Sequence, residues 1–498
     1  MSRPRFAVIG LLLLLALLAS CDQAANPSSS VDQPSPLPSP EPTLAPSPTP
    51  LPQYAPGSTI AGVDVSGLER AEAAARLPLE LALPQVLELR IGAARLRLEP
   101  SMIALEAPLD ALLAEADAAL QQSQPITVPL RLSIDETALR QQLAEVAPEV
   151  AVAPELLVLT DTLAISRSFA YIPGQVLDLD AALAEVQAAL DRGKTGPLRL
   201  TLQPDPTPPT VSLERLRAEV ANVAAELPGV LGLHLVDLAS GATMGWNERS
   251  VFSGASTIKT AIMLYAYINL PELNEEHEEW LREMIRVSDN LTANDLLSAG
   301  AGGEGTWIAF VGADEMSTML QEDLGLRHTY LYVPFETTDY IQIFRPTFRC
   351  GPLGPVGATP YTEMGNCLRA EPESMAQLYL MIDQCANGAG PLLELYENLD
   401  AARCQEMLDW LAINEDDSRI AAGVPAGVSV EHKSGWVENM QADVGIVRSP
   451  GGDYVLALYY YRPLPPGRDL WYDEEMTPIL AALSRLVYSA YNPKSDSR

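Results

Sequence analysis

The hydrophobic and polar positions of this chain predict two successive regions that both mix helices and strands. In the first region, Leu87–Leu98 alternates apolar and polar residues as a hairpin does, and Pro108–Gln121 has the apolar stripe of an amphipathic helix. A second cycle follows, with strands at Val128–Ile134, near Leu156–Ile165 and at Leu198–Leu202, and helices at Glu136–Glu145 and Asp180–Asp191. We therefore predict a small α+β region of two repeats over residues 57–205.

The second region has a different order of elements. The pattern predicts a helix at Leu213–Leu227, a hairpin at Val230–Leu238 and Gly241–Trp246, a mostly helical stretch to Leu324, a Pro/Gly-rich loop at Leu331–Asn366, helices at Pro372–Asp383 and Asp400–Leu411, strands at Val428–His432, Ala442–Arg448 and Tyr454–Tyr461, and a last helix from Thr477. This order predicts an α+β domain over 211–493, in which the terminal helices cover one face of an antiparallel sheet.

The first 56 residues predict a targeting segment and a spacer. The apolar run Ala7–Leu18 is too short to span a membrane and follows two arginines. It ends in Leu18-Ala19-Ser20-Cys21, which resembles the lipobox of bacterial lipoproteins and implies cleavage before Cys21 and lipidation of its sulfur. We therefore place a lipoprotein signal peptide and its lipobox at residues 1–21; an ordinary signal peptide with cleavage nearby is the alternative. Residues 22–56 are rich in Pro and Ser and predict an extended spacer. We expect an extracytoplasmic, membrane-anchored lipoprotein.

Charge and cysteine content narrow the classes of partner. The net charge is −33 over 498 residues, and no run of clustered Lys and Arg occurs, which argues against a nucleic-acid partner.

Besides Cys21 there are four cysteines, and an even number in an exported protein indicates two disulfides. Three pairings are possible; we expect sequence neighbours to pair, Cys350 with Cys367 and Cys385 with Cys404. The cysteine spacings are not those of a zinc site, and we predict no metal and no cofactor.

The candidate chemistry begins at Ser256. Ser256 and Lys259 lie three residues apart at the start of an apolar helix, so their side chains share one face. Burial lowers the pKa of a lysine, which allows a neutral amine to accept the serine proton. The chain has only four lysines, and arginine cannot replace this one, because a guanidinium does not give up its proton in a protein.

Two further motifs follow Ser256 in the sequence. Ser288-Asp289-Asn290 opens a predicted helix, and by itself it is most simply a helix cap. Lys433-Ser434-Gly435 follows the Val428–His432 strand and precedes Trp436; by itself it is a polar strand end. The three motifs together, in this order and spacing, resemble those of the class A β-lactamase family and the related penicillin-binding proteins.

The resemblance implies a role for each residue. Ser256 would be the acylated nucleophile, and Lys259 its base or proton shuttle. Ser288 would pass a proton to the leaving nitrogen, while Asn290 would contact the substrate amide. The remaining residues would bind substrate: Lys433, Ser434 and Gly435 at the carboxylate, and the backbone N–H groups of Ser256 and Trp436 at the oxyanion.

One expected residue does not match. Class A enzymes carry a glutamate with an asparagine four residues later, and that glutamate activates the deacylating water. Here Glu363 has Asn366 only three residues later, so the pattern fails. Glu336, Glu371 and Glu373 are other candidates without supporting context.

The first region carries a weaker resemblance. Ile60-Ala61-Gly62-Val63-Asp64-Val65-Ser66-Gly67 and Pro173-Gly174-Gln175-Val176-Leu177-Asp178 resemble peptidoglycan-binding-like domains found beside VanW-type modules. The resemblance implies contact with the cell wall; a stalk without a ligand is the alternative.

Three functions remain open at this point. The leading hypothesis is a lipid-anchored serine hydrolase that forms an acyl-enzyme with a β-lactam and hydrolyses it. The first alternative is a D,D-carboxypeptidase-like enzyme that acts on D-alanyl peptides of peptidoglycan. The second is a wall-binding lipoprotein without catalysis, which the buried lysine argues against.

Overall fold

The computed structural model describes residues 51–120, 124–161 and 165–496. The lipobox-like segment with Cys21 and most of the predicted spacer lie outside the described residues. Among the residues described, no helix is both long and apolar enough to cross a membrane.

The first region is built from short strands and four helices. Its elements are β1 (Thr59–Ile60), β2 (Val63–Asp64), α1 (Arg70–Glu80), β3 (Leu87–Ile91), β4 (Ala94–Leu98), α2 (Leu109–Leu120), β5 (Thr127–Val128), α3 (Glu136–Val150), β6 (Glu155–Thr160), β7 (Arg167–Ile172), β8 (Gly174–Val176), α4 (Leu179–Leu190), β9 (Leu198–Leu200) and β10 (Gln203–Asp205).

This region has two apolar cores, and each is built from segments of both cycles, so the segments of the two cores alternate along the chain. The first core packs α1 and α2 against β1, which pairs in parallel with β5. The β3–β4 hairpin lies between α1 and α2 in sequence, yet its buried residues pack with α3 and α4, and β3 pairs in parallel with β9. Parallel pairs need a long connection, so each core joins segments that are far apart in sequence.

The second region follows without a break. Its elements are α5 (Leu213–Ala225), β11 (Val230–Asp237), β12 (Thr243–Trp246), a 3₁₀ turn at Ala255–Ile258, α6 (Lys259–Asn269), α7 (Glu275–Arg286), α8 (Asn290–Gly300), α9 (Thr306–Thr318), β13 (Tyr330–Leu331), α10 (Thr338–Phe344), β14 (Leu368–Arg369), α11 (Pro372–Ala386), α12 (Pro391–Leu395), α13 (Ala401–Leu411), α14 (Ile420–Gly423), β15 (Ser429–Val437), β16 (Met440–Arg448), β17 (Tyr454–Tyr461), α15 (Asp473–Tyr491) and β18 (Lys494–Ser495).

A five-stranded antiparallel sheet in the order β12-β11-β17-β16-β15 organises this region. One face packs against α5 and α15 through residues such as Leu216 and Leu483, and the other packs against α6 and α11. The predicted α+β class and the position of the two terminal helices on one face are both confirmed. All eight residues of β17, at the centre of the sheet, are buried.

Several predicted boundaries are wrong. The strand expected to end at His432 continues to Val437, because antiparallel pairing with β16 runs on to Met440. The last helix begins at Asp473 rather than Thr477, since Glu475 and the Tyr472 backbone form a capping arrangement one turn earlier. The strand predicted at 128–134 is reduced to Val128 and its neighbour Thr127.

The β6–β7 hairpin belongs to the first region in sequence but contacts the second. Phe169 lies in the same apolar cluster as α15, and its backbone N–H donates to Ser489 Oγ at 2.8 Å. Strand β18 pairs in parallel with β7 through Lys494 and Ala170. This hairpin therefore fixes the first region against the last helix.

Both disulfides join sequence neighbours, Cys350 to Cys367 and Cys385 to Cys404, so the expected pairing is confirmed. The second one ties α11 to α13, whose packing supports the helices behind the sheet.

Candidate active site

Ser256 lies in the 3₁₀ turn that leads into α6, and Lys259 is the first residue of that helix. Side chains three residues apart eclipse each other in a 3₁₀ turn, so the two project from one face. Ser256 is half-buried, whereas Lys259 is fully buried at the base of the site. Thr257 Oγ1 and the Tyr459 hydroxyl are 2.8 Å apart, which anchors the turn to the sheet.

The Lys259 ammonium is held by the second motif. Its Nζ donates to the Ser288 carbonyl at 2.6 Å and to Asn290 Oδ1 at 2.6 Å, and it lies 3.3 Å from Ser288 Oγ. Within the described part of the chain, no hydrogen bond joins Lys259 Nζ to Ser256 Oγ. The structure thus brings Lys259, Ser288 and Asn290 into contact, with Ser256 one turn away.

The backbone of the second motif is shaped for these contacts. Ser288 has a φ of +63°, a left-handed conformation that is uncommon for a residue with a Cβ and costs about 1–3 kcal/mol. This conformation turns both its carbonyl and its hydroxyl toward Lys259. Asp289 caps α8 by accepting from Thr292 N at 2.8 Å. The motif therefore has two roles: Asp289 caps the helix, and Ser288 and Asn290 bind the lysine.

Two buried lysines lie close enough to affect each other. Burial, and then the positive charge of Lys433, lowers the pKa of Lys259 to about 7; Asp289 and Glu336 oppose this shift. Burial also lowers the pKa of Lys433 to about 8, against the effect of Asp443. Lys259 is therefore available in its neutral form near pH 7, as a general base requires.

Strand β15 carries the third motif past the serine. A Cβ built at Gly435 would lie 2.6 Å from Ser256 N and 2.8 Å from Thr257 N, so only glycine lets the strand approach the turn this closely. β15 is the edge strand of the sheet, so no further strand of this sheet pairs with its outer side. Trp436, the next residue, is 61% exposed.

The other two side chains of the motif differ in surroundings. Lys433 is fully buried and donates to the Ser434 carbonyl at 3.0 Å. The Ser434 hydroxyl donates to Asp416. Burial raises the pKa of Asp416, but the Arg419 guanidinium and hydrogen bonds from Ser418 and Ser434 outweigh burial and lower this pKa to about 2. A cluster of buried charge therefore lies directly behind β15.

A carboxylate also reaches the site, from the loop between β13 and α10. Asn290 Nδ2 donates to Glu336 Oε1 at 2.8 Å, so one amide side chain bridges Glu336 and Lys259. Asn294 on α8 holds this loop, accepting from Phe335 N at 3.0 Å and donating to Phe335 O at 2.8 Å. The Phe335 ring covers the Lys259 ammonium at 4.8 Å, which contributes to its burial.

The other glutamates considered from the sequence lie elsewhere. Glu363 contacts the Tyr461 hydroxyl, Glu371 accepts from Ser374 Oγ at 3.0 Å, and Glu373 pairs with Arg249. Among the described residues, Glu336 is the only one of the four candidates that contacts a residue of the three motifs.

Sequence reasoning missed Asn294, Phe335 and Asp416. Asn294 stands four residues after Asn290 on α8, a spacing that places both amides on one helix face and was a usable signal. The described ranges contain no group of three or more His, Cys, Asp or Glu side chains that could hold a metal ion.

Comparison with known proteins gives a family. The sequence model of the beta-lactamase enzyme family matches residues 215–275 and 271–491, a span that contains all three motifs. No curated protein matches the chain.

Solved structures cover the same part of the chain. The structure of PBP-A is 22% identical over 57% of this chain and 98% of its own, with a TM-score of 0.41. A point mutant of PBP-A, solved as an acyl-enzyme complex with penicillin G, is 22% identical over 57% of this chain and 99% of its own, with a TM-score of 0.40. A class A β-lactamase from Mycobacterium abscessus is 21% identical over 56% and 99%, with a TM-score of 0.39. On the strength of the family match, the chain belongs to the beta-lactamase enzyme family.

Proposed function

We propose that this protein forms an acyl-enzyme on Ser256 and hydrolyses the amide of β-lactams. The observation that carries the proposal is the buried Lys259, whose pKa lies near 7 and whose Nζ is held one turn from Ser256 by Ser288 and Asn290. A lysine in this state is a base that can take the serine proton at neutral pH.

Acylation then follows from the positions of these groups. Lys259 accepts the proton from Ser256 Oγ as the oxygen bonds to the carbonyl carbon of the lactam. The negative charge that develops on the carbonyl oxygen is met by the N–H groups of Ser256 and Trp436, and the C–N bond breaks as the tetrahedral intermediate collapses. Ser288 Oγ, 3.3 Å from Lys259 Nζ, relays the proton to the leaving nitrogen.

Substrate binding uses the third motif. The Lys433 ammonium and the Ser434 hydroxyl hold the substrate carboxylate beside Gly435. The amide of Asn290 contacts the acylamide of the substrate.

Deacylation is assigned to Glu336. Glu336 is exposed to solvent, and its Oε1 lies 2.8 Å from Asn290 Nδ2. The Oδ1 atom of the same amide accepts from Lys259 Nζ. Glu336 takes a proton from a water as the water oxygen bonds to the acyl carbon; the bond between the acyl carbon and Ser256 Oγ then breaks, and the proton held by Glu336 is returned to Ser256 Oγ. This assignment favours turnover of β-lactams over a stable adduct, and so favours a β-lactamase over the D,D-carboxypeptidase-like alternative.

The experiment uses the full chain with nitrocefin, following the burst, the steady state and the intact mass. We expect a burst, an adduct of one acyl group and continued turnover. Ser256→Ala should remove all three, whereas Ser429→Ala, an exposed serine at the far end of β15, should retain them. A stable adduct without turnover would instead support the peptidase alternative. Labelling that persists in Ser256→Ala would refute the assignment, and no adduct in the unmodified chain would favour the binding protein.

We also propose that the protein is an extracytoplasmic lipoprotein anchored through Cys21, with residues 57–205 in contact with the cell wall. The motif that ends in Cys21 supports the anchor. Incorporation of labelled palmitate by the unmodified chain, and its loss in Cys21→Ala, is the expected result; labelling of Cys21→Ala would contradict it.

A further inference from the structure

Three arginines stand side by side on the outer face of the β4-β3-β9 sheet. In the strand register, Arg90 on β3 is directly opposite Arg95 on β4 and directly opposite Arg199 on β9. Arg90 and Arg95 lie five residues apart in the sequence, whereas Arg199 lies 109 residues after Arg90, so the row of three exists only once β9 pairs with β3. The sequence indicated no basic patch, and the pairing of these strands assembles one.

The arginines face away from the core because strand residues alternate. On β3, Leu87, Leu89 and Ile91 are fully buried in the second core, which leaves Glu88 and Arg90 on the outer face. Arg95 and Arg199 are exposed, and so is Arg97 on the same face of β4. Among the described residues of these three strands, Glu88 is the one outward carboxylate, and it pairs with Arg90 at 2.9 Å.

Glu88, which pairs with Arg90 and lies opposite Arg97 in the strand register, compensates only part of the positive charge on this face. Neighbouring strands are about 4.8 Å apart, so three guanidinium groups follow one another across about 10 Å. Like charges directly opposite each other destabilise a sheet pair. In the described part of the chain, Arg95, Arg97 and Arg199 have no ion pair, although the protein carries a net charge of −33 and many carboxylates.

The row also borders a recess. A cavity of about 320 Å³ at the tip of the hairpin is lined by Arg90, Arg95 and Arg199 together with residues 92–94 and Leu200. The tip consists of Gly92, Ala93 and Ala94, whose small side chains leave the guanidinium groups accessible. Guanidinium groups form paired hydrogen bonds with phosphate oxygens, which makes a converging set of arginines a phosphate site.

We propose that this arginine row binds phosphate groups of a soluble anionic polymer of the phosphodiester type. The three arginines of the recess can bind one phosphate group, and Arg97, two positions farther along β4, can bind the next. This spacing fits a chain with repeated phosphates. A bilayer surface fits less well, because membrane-binding faces combine basic residues with large apolar ones, and the residues at this tip are glycine and alanine. The site lies in the first region, apart from Ser256.

The test measures binding of poly(glycerol phosphate) to the full chain by calorimetry over a range of salt concentrations. The test variant is Arg95→Gln/Arg199→Gln, and the control is Arg76→Gln/Arg140→Gln, which removes the same charge from exposed helix positions. We expect the test variant to lose about tenfold or more in affinity and about two units of salt slope, and the control to change less than about twofold. Nitrocefin turnover should be unchanged in both, which separates this proposal from the proposed function.

Two further probes decide the source of the phosphate. Phosphatidylglycerol vesicles and a single-stranded oligonucleotide should both bind more weakly than the polymer at equal phosphate concentration. Equal loss of polymer binding in the test and control variants would overturn the proposal. Arginine-dependent binding of vesicles or oligonucleotide, without binding of the polymer, would overturn the polymer assignment.

Discussion

Replacing Glu336 by glutamine separates the two halves of the proposed reaction. The amide oxygen of the introduced glutamine can still accept from Asn290 Nδ2, which donates to the carboxylate at 2.8 Å, so the loop should keep its position. The two hydrogen bonds between the Asn294 side chain and the Phe335 backbone do not involve the substituted side chain. The substitution therefore removes the base and leaves its surroundings in place.

The expected magnitude follows from the role. A general base contributes about 10²–10⁴ in rate, equivalent to about 3–5 kcal/mol of activation free energy. We expect steady-state nitrocefin turnover to fall by that factor in Glu336→Gln, while the acylation burst stays within about threefold, since Lys259 and Ser256 are untouched. The intact mass should show one acyl group that persists for minutes or longer.

The pH dependence gives an independent check. The carboxylate of Glu336 raises the pKa of Lys259, so its removal should shift the acid limb of the acylation profile to lower pH. The control is Glu363→Gln, which lies in the neighbouring loop and contacts Tyr461 instead of the motifs. Turnover at the normal rate in Glu336→Gln, or an equal loss in Glu363→Gln, would refute the assignment.

Three other predictions concern the same site. Acylation should rise with pH through about 7 and then level off, because Lys259 must be neutral; Lys259→Arg should abolish the burst. In Lys433→Gln the rise of acylation with pH should move to higher pH, because the Lys433 charge lowers the pKa of Lys259. Stopped-flow bursts measured across pH would show no such shift if the two lysines do not interact. Gly435→Ala should reduce acylation more than about tenfold, because its Cβ meets Ser256 N at 2.6 Å, whereas Gly365→Ala, with open space around it, should react normally.

The sequence determined most of the chemistry. Ser256 and Lys259 share a face because the spacing of residues on a helical turn is fixed, and a lysine among apolar neighbours already indicated a lowered pKa. Apolar runs located the central strands closely, and β17 has the predicted bounds, because a strand that is buried on both faces stands out in the sequence as a continuous apolar run. The cysteine pairs were also correct, since short loops bring sequence neighbours together.

Only the tertiary structure decided which carboxylate joins the site. The four candidate glutamates looked equivalent in the sequence. Glu336, Glu363 and Glu371 stand in irregular segments, which have no periodicity that says where a side chain points, and Glu373 lies in the first turn of α11. Glu336 is held at the site by its hydrogen bond from Asn290 and by the hydrogen bonds of Asn294 to the Phe335 backbone. These contacts join α8 to a loop more than 40 residues away. The same limit applies to the arginine row, since the register of Arg90 with Arg95 and Arg199 exists only once the strands pair. Local spacing is written in the sequence, whereas contacts between distant segments depend on how those segments pack.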